Sequence, residues 1–317
     1  MIRILANDGI AADGKTLLEE AGYEVITEKV AQEDLPNELP NYDVIIVRSA
    51  TKVRQELIDQ CPRLKVIARA GVGLDNIDVD YARSKDITVV NTPAASSQSV
   101  AELVFTHFFN LARYVNQSNR ELPAADSNFK ALKKSYSKGV QLRGKTLAIV
   151  GFGRIGREAA RIGLAMGMEI LPVDLAVEKA DLELDLYTAG NIKLKVTVET
   201  VELEEALTKA DFLTLHVPSL KGALLGKEEL AKMKPGAIVV NTARGGIIDE
   251  EALLEALDSG HLAGAGIDVY VNEPTPDRRL LEHPNVSVTP HIGASTVEAQ
   301  RNIGLELADQ IIAYFGD

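Results

Sequence analysis

The first residues whose types and spacing suit chemistry lie mid-chain, in Leu147-Ala148-Ile149-Val150-Gly151-Phe152-Gly153-Arg154-Ile155-Gly156. Four apolar residues read as a buried strand that runs directly into G-x-G-x-x-G, and Arg157 to Met166 reads as helix ending at Gly167. In that order Gly151 permits a tight turn, Gly153 lets the backbone approach a pyrophosphate, and Gly156 lets the helix pack on the strand. The positive end of the helix then faces the phosphates. Alone, the pattern is equally that of an ordinary glycine-rich turn. Here a second strand, Glu169 to Val173, ends at Asp174, eighteen residues past Gly156. A carboxylate there accepts hydrogen bonds from a ribose diol and repels a 2′-phosphate. No Lys or Arg follows before Lys179. The combination predicts a dinucleotide site that takes NAD rather than NADP.

Three further segments carry polar groups after strands. Asn241-Thr242-Ala243-Arg244-Gly245-Gly246 precedes a helix starting near Asp249, and Gly266 to Pro274 carries Asp268 and Glu273. The third, Thr289 to Ser295, holds His291. Taken singly, Arg244 could cap a helix, Glu273 could be a loop acid, and His291 could be a buried structural histidine. Among the other histidines, His107 reads as a packed residue on a helix, while His261 and His283 sit near turns and read as solvated. His216 ends a strand in His216-Val217-Pro218, where backbone rather than imidazole is expected to touch a cofactor.

Taken together, the stretches RSATKV (48–53), RAGVGLDNID (69–78), NTP (91–93), GFGRIG (151–156), NTARGGIIDEEAL (241–253), DVYVNEP (268–274) and PHIGAST (290–296) resemble the D-isomer-specific 2-hydroxyacid dehydrogenases over essentially the whole chain. Within that family the likeness is greatest to the D-3-phosphoglycerate dehydrogenases, in a short form. The resemblance implies Arg244, Glu273 and His291 as a catalytic trio. It implies nicotinamide-cofactor contacts at Gly151, Gly153, Arg154, Ile155, Gly156, Asp174, His216, Val217, Pro218, Thr242, Ala243, Arg244, Asp268, His291, Gly293 and Ala294. Substrate contacts follow at Arg48, Ser49, Arg69, Val72 and Gly73, with Lys134 supplied by a partner subunit. Arg48 and Arg69 would hold a substrate phosphate, and backbone around Val72-Gly73 its carboxylate.

The chemistry agrees with those assignments. A 2-oxo acid sets a carboxylate beside a ketone, which a guanidinium fork matches better than an ammonium. Reduction develops negative charge on the ketone oxygen, so a proton donor must sit against it. Imidazole, with an unperturbed pKa of roughly 6.5, suits that task, and a neighbouring carboxylate stabilises and orients its charged form. The chain ends at Asp317, so C-terminal regulatory domains found in longer relatives, and serine inhibition through them, are not expected.

Bulk properties bound the alternatives. A chain of 317 residues, 46% apolar and 25% charged, suits two globular domains. A net charge of −12 argues against nucleic acid or an anionic membrane as the main partner, so an anionic substrate needs a local basic cluster. The single cysteine, Cys61, excludes an internal disulfide and a cysteine-based zinc site, and the scattered histidines suggest no metal site. With neither a signal peptide nor a long apolar run, a cytoplasmic location is expected.

The elements that must position these groups alternate. Ile2–Ala6, Val44–Val47, Val66–Ala68 and Ile87–Val90 read as strands, separated by helical Lys15–Ala21, Val53–Gln60 and Val79–Ser84. Such alternation implies a parallel sheet covered on both faces, with ligands beyond the strands' carboxyl ends, where Arg48 and Arg69 fall. The expected fold is α/β with two doubly wound parallel-sheet domains: a flavodoxin-like substrate-binding domain (1–97 with 292–317) and a Rossmann domain (98–291). Later strands are expected at Phe212–Val217, Ala237–Asn241, Gly266–Val269 and Val286–Val288. The helix from Ser99 to Arg113 is apolar nearly all round, as for one face on its own domain and another in a homodimer interface. Asn116 to Arg143 reads as a connection. Ser295 with Glu298 reads as a capping box opening a helix to Phe315 that returns to the first domain. Finally, Leu182, Leu184 and Leu186 alternate with acids, and Ile192, Leu194 and Val196 with lysines, on either side of Thr188-Ala189-Gly190. That predicts a β-hairpin whose apolar face covers either the nucleotide sheet beside Asp174 or a partner subunit.

Overall fold

The computed structural model describes residues 1–124, 126–186 and 192–316. In chain order the first elements are β1 (Arg3–Ala6), α1 (Ala12–Glu20), β2 (Glu24–Ile26), α2 (Leu35–Glu38), β3 (Val44–Val47), α3 (Gln55–Asp59), β4 (Val66–Arg69), α4 (Val79–Ser84) and β5 (Thr88–Asn91). Then come α5 (Ser97–Ala112), α6 (Val115–Glu121), α7 (Phe129–Ser135), β6 (Thr146–Val150), α8 (Arg154–Ala165), β7 (Glu169–Val173), β8 (Lys179–Leu186) and β9 (Ile192–Glu199). The remainder is α9 (Leu203–Lys209), β10 (Phe212–Leu215), α10 (Lys227–Lys232), β11 (Ala237–Asn241), α11 (Glu250–Asp258), β12 (Leu262–Ile267), α12 (Arg278–Glu282), β13 (Val286–Val288) and α13 (Val297–Gly316). The chain forms two compact units, Met1–Ser99 with Ala294–Asp317, and Val100–Gly293.

In the first unit a parallel sheet runs β2-β1-β3-β4-β5. Side chains alternate between its faces, so both must be covered. Ile4, Ala6, Val44, Ile46, Val66 and Ala68 pack with Leu18 of α1 and Ile303, Leu307 and Ile311 of α13. Leu5, Ile45, Val47 and Ile67 turn the other way, onto Leu35, Leu57 and Ile58. Strands buried on both faces read as unbroken apolar runs, which is why β3 is Val-Ile-Ile-Val.

The second unit repeats the design with the order β13-β12-β11-β10-β6-β7, all parallel. Ala148, Val150, Leu213, Leu215 and Val239 pack on Leu207, Leu230 and Leu253 from α9, α10 and α11. Leu147, Ile149, Phe212, Ile238 and Val240 face Phe105, Phe108 and Leu111 of α5 and Ala159 and Ala160 of α8. The chain leaves β6 toward β7 and later crosses to β10 on the other side, which makes β6/β10 the switch point of this sheet.

The structure differs from the sequence reading at several elements. The short β2, Glu-Val-Ile, has too few apolar residues to signal itself. The 116–143 connection contains α6 and α7; neither buries a residue, so no apolar period marks them. The α8 helix starts at Arg154, directly after the glycine turn, rather than at Arg157. The strand placed at Gly266–Val269 is β12, which begins at Leu262 and leaves Asp268 just past its end; its Ala-Gly-Ala-Gly core hides it. The residue capping α13 is Thr296, whose Oγ1 accepts from Ala299 N at 3.1 Å, not Ser295. The hairpin is present as antiparallel β8 and β9, with Leu182 opposite Val196 and Glu183 opposite Lys195. Residues 188–190, where its turn was placed, lie outside the described residues. Ala180 and Leu182 join the core beside α8, whereas Ile192 and Leu194 stay half exposed.

Candidate active site

At the end of β6, Gly151 has φ 93 and donates its N–H to Val173 O at 2.8 Å. A Cβ at Gly151 would stand 2.5 Å from His216 O, and one at Gly156 would stand 2.2 Å from Gly151 O. Only glycine lets the turn lie against the β10 end and lets α8 start on top of it. A Cβ at Gly153 would meet nothing within 4 Å, so the backbone before α8 faces open space. Asp174 accepts from Phe152 N (2.7 Å), Ala176 N (2.8 Å) and Val177 N (3.2 Å). Burial pushes its carboxyl up, but these bonds and the charge of Arg157 outweigh that and hold it below the ordinary carboxylate range. Arg154 is exposed and Ile155 half-buried on the first turn of α8. Around the same edge, His216 Nδ1 and Thr242 Oγ1 are buried without a hydrogen-bond partner among the described residues. An open glycine turn, a helix N-terminus, an ionised acid beside the turn and two unmet polar atoms fit a dinucleotide.

Arg244, Glu273 and His291 follow β11, β12 and β13, three neighbouring strands of that sheet. A Cβ at Gly245 would stand 2.0 Å from Tyr270 O, so the Arg244 loop lies directly on the Glu273 loop. Glu273 Oε1 accepts from Tyr270 N at 3.0 Å, and Oε2 lies 2.9 Å from His291 Nδ1. One carboxylate thus ties its own loop and aims an imidazole on the next. That bond leaves His291 Nε2 for a reacting group, and both side chains are half exposed (44% and 38%). His291 adopts φ 55, and Asn241 Nδ2 holds the Arg244 carbonyl at 2.8 Å. Asp268 is buried behind this edge and accepts from Thr289, Ile292 and Gly293. Val217 and Pro218 lie at the β10 end, Ala243 beside Arg244, and Ala294 in the first unit.

In the first unit, β1 and β3 flank the switch point of the sheet. Asp8, whose side chain is nearly buried, accepts from Arg48 N (2.7 Å), Thr51 N (3.1 Å) and Thr51 Oγ1 (2.8 Å), fixing the loop after β3. The Arg48 guanidinium has no hydrogen bond or ion pair among the described residues. It lines a cavity of about 370 Å³ with Asp8, Lys29 and Ser49, and another of about 440 Å³ with Ser295, Gln300 and Arg301. Arg69, at the end of the next strand, folds its Nη1 onto Ala70 O at 3.0 Å. A Cβ at Gly71 would collide with that guanidinium, so the glycine clears its path. Val72 is exposed, Gly73 follows it, and Lys134 is exposed near the end of α7 in the second unit.

Residues 105–293 match the model of the D-isomer specific 2-hydroxyacid dehydrogenase NAD-binding domain. The chain belongs to the D-isomer-specific 2-hydroxyacid dehydrogenases. It is 43% identical to a hydroxypyruvate reductase of Thermotoga maritima, covering 99% of this chain and 98% of that protein. It is 41% identical to D-3-phosphoglycerate dehydrogenase of Bacillus subtilis, over 99% of this chain but 57% of the longer relative. Its fold is similar to that of a Staphylococcus aureus NAD-dependent formate dehydrogenase solved with NAD. That likeness has a TM-score of 0.79 and 29% identity, and covers 99% and 95% of the two chains. As a member of this family, the chain is an oxidoreductase that uses a nicotinamide cofactor. Among the described residues no helix is long and apolar enough to cross a membrane.

The sequence reading missed several participants. Lys29 and Asp8 carry no motif; they reach Arg48 only because β2, β1 and β3 are successive neighbours in the sheet. Thr289 was noted only as part of a segment. His261 and His283 are half-buried rather than freely solvated: His261 Nε2 lies 3.1 Å from Leu230 O, and His283 Nδ1 accepts from Asn285 N at 3.1 Å.

Proposed function

We propose that this dehydrogenase oxidises D-3-phosphoglycerate to 3-phosphohydroxypyruvate, the entry step of serine synthesis, with NAD as cofactor. The observation that carries this reading is the unpaired Arg48 guanidinium between two cavities, in a chain of net charge −12; the nearby Lys29 and Arg301 are already paired with Asp8 and Asp13. A dianionic phosphate needs such dedicated counter-charge; an unphosphorylated substrate does not. Arg48 and Arg69 bind the phosphate, Ser49 and backbone at Val72-Gly73 assist, and Lys134 reaches it from the partner in a cytoplasmic homodimer. Gly153 to Gly156 hold the cofactor pyrophosphate, Asp174 the ribose, and residues 216–218, 242–243, 268 and 293–294 its remainder. When bound, the nicotinamide accepts or supplies the hydride. Arg244 clamps the carboxylate that adjoins the reacting carbon. His291 Nε2 takes the hydroxyl proton in oxidation and returns it in reduction, while Glu273 orients the ring and stabilises its charged form. Asp174 favours NAD, since its charge opposes a 2′-phosphate.

A second reading is reduction of unphosphorylated hydroxypyruvate or glyoxylate by the same trio. It is favoured by the likeness to the Thermotoga reductase, which this chain matches almost end to end. Steady-state kinetics with NAD and 3-phosphoglycerate, glycerate and lactate separate the two. A kcat/KM at least tenfold higher for 3-phosphoglycerate supports the phosphorylated substrate, and equal or higher values for glycerate overturn it.

A further inference from the structure

We propose that His107, a fully buried residue of α5, is a positioning residue for proton transfer at His291. As a neutral imidazole protonated on Nε2, it aims the Thr289 hydroxyl at Asp268, and Asp268 pins the backbone next to His291.

The path is continuous. His107 is fully buried; its Nδ1 lies 2.9 Å from Ser287 Oγ and its Nε2 3.2 Å from Thr289 Oγ1. Thr289 Oγ1 lies 2.6 Å from Asp268 Oδ1, which also accepts Ile292 N at 2.8 Å, while Oδ2 accepts Gly293 N at 2.9 Å. Gly266 makes room, since a Cβ there would stand 2.6 Å from that of His107.

The donors sort themselves. Asp268 takes two fixed N–H donors, which favours the carboxylate, and a carboxylate only accepts. The single Thr289 proton therefore points at Asp268, and Thr289 can only accept from His107. That puts the imidazole proton on Nε2. Burial pulls the His107 pKa down to about 4, so the ring is neutral and its Nδ1 accepts from Ser287. Every bond then runs one way, ending on the carboxylate.

The end of the path matters because His291 sits at φ 55, a conformation that non-glycine residues rarely adopt. Thr289 and Ile292 flank it, and both bond to Asp268. Burial raises the Asp268 carboxyl above its ordinary range, and the bonds from Thr289, Ile292 and Gly293 and the charge of His291 oppose that rise. The other titratable groups acting there are Glu273, 2.9 Å from His291 Nδ1, Glu250, which acts on Tyr270, and Tyr270 itself, pushed up to about 12 by burial, whose hydroxyl donates to Ile267 O and Thr289 O. Burial alone acts on His107. Losing the Thr289 donor lets Asp268 protonate at higher pH. His291 then loses both a nearby charge and part of its backbone anchor.

The test is the pH profile of kcat/KM for His107→Leu, His107→Gln, Thr289→Val, Thr289→Ser and the double variant His107→Leu/Thr289→Val. Thr289→Val is expected to move the acid limb toward acid by roughly half to one pH unit, because a neutral Asp268 no longer favours the protonated His291, and His107→Leu to move it the same way by less. His107→Gln, whose amide can donate from the Nε2 position, and Thr289→Ser should retain the native limb. The double variant should match Thr289→Val, because its donor is already gone. An unchanged profile in His107→Leu, or shifts that add in the double variant, would overturn the proposal. Nitrogen-15 NMR of the wild-type imidazoles needs no substitution: an Nε2–H tautomer unchanged from pH 8 to 5 is expected, and an Nδ1–H tautomer is fatal. The inference rests on His291 as the proton carrier; full activity in His291→Gln would remove that reading while leaving the tautomer result intact.

Discussion

The two parallel sheets of this protein present carboxyl-terminal edges of opposite character. The edge of β6, β10 and β11 is built from glycine turns, a helix N-terminus and one ionised acid, Asp174. Its cations are Arg154 and Arg157 on α8 and Arg244 after β11, in the loop that lies on the Glu273 loop. The edge of β1, β3 and β4 offers side-chain cations, Lys29, Arg48 and Arg69, around a single buried acid. Both are crevices of doubly wound sheets, so the architecture does not choose the ligand. The choice lies in whether backbone N–H groups or guanidinium groups fill the edge. Backbone donors suit a large, shared cofactor held along its length, and guanidinium groups suit a compact anion held by one end.

The largest expected effect strikes the proton-transfer end of the second sheet. His291→Gln should lower kcat by about 10²–10⁴-fold while NADH binding, followed by its fluorescence, is retained. Loss of NADH binding as well would mean that this edge is not divided into cofactor and proton-transfer regions. Next, Arg48→Met should raise the KM for 3-phosphoglycerate by roughly 10–100-fold and leave the KM for glycerate nearly unchanged. Equal losses on both substrates would assign Arg48 to the shared carboxylate and remove the phosphate from the first sheet. Asp174→Ala should narrow the NAD over NADP preference by about tenfold, since a ribose acceptor and a repelling charge go together. Wild-type activity that is equal with both cofactors would show that Asp174 does not select. The smallest shift is expected from Glu273→Gln, which should move the kcat/KM profile toward acid by about half a pH unit. A protonated His291 then lacks its carboxylate partner and loses its proton more readily. If the profile stays in place, Glu273 acts on its own loop through Tyr270 N and not on the imidazole.

The two edges were not equally legible. The second sheet announced itself because its chemistry is sequence-local: Gly151, Gly153 and Gly156 lie within one turn, and Asp174 ends the next strand. Arg244, Glu273 and His291 each sit in a distinctive segment after a strand. The hairpin was legible for a similar reason, since alternation over eight-residue strands is a strong signal. The first sheet gave its strands as apolar runs, but only Arg48 and Arg69 of the groups proposed to hold a ligand. Lys29 follows a three-residue strand with no period, and α6 and α7 bury nothing that would mark them.

By itself the sequence determined the α/β class and the glycine turn with its acid, and it named the groups proposed to bind an anion and move a proton. These depend on residue type, short-range spacing and burial period, which are written along the chain. Only the tertiary structure decided that Glu273 is the carboxylate on His291 Nδ1, that Asp8 braces the Arg48 loop, and that His107 reaches Asp268 through Thr289. Each of those pairs is brought together by strand order or by a helix laid across strands. A hydrogen bond fixes partners to within a few tenths of an ångström, a distance that no spacing in sequence encodes.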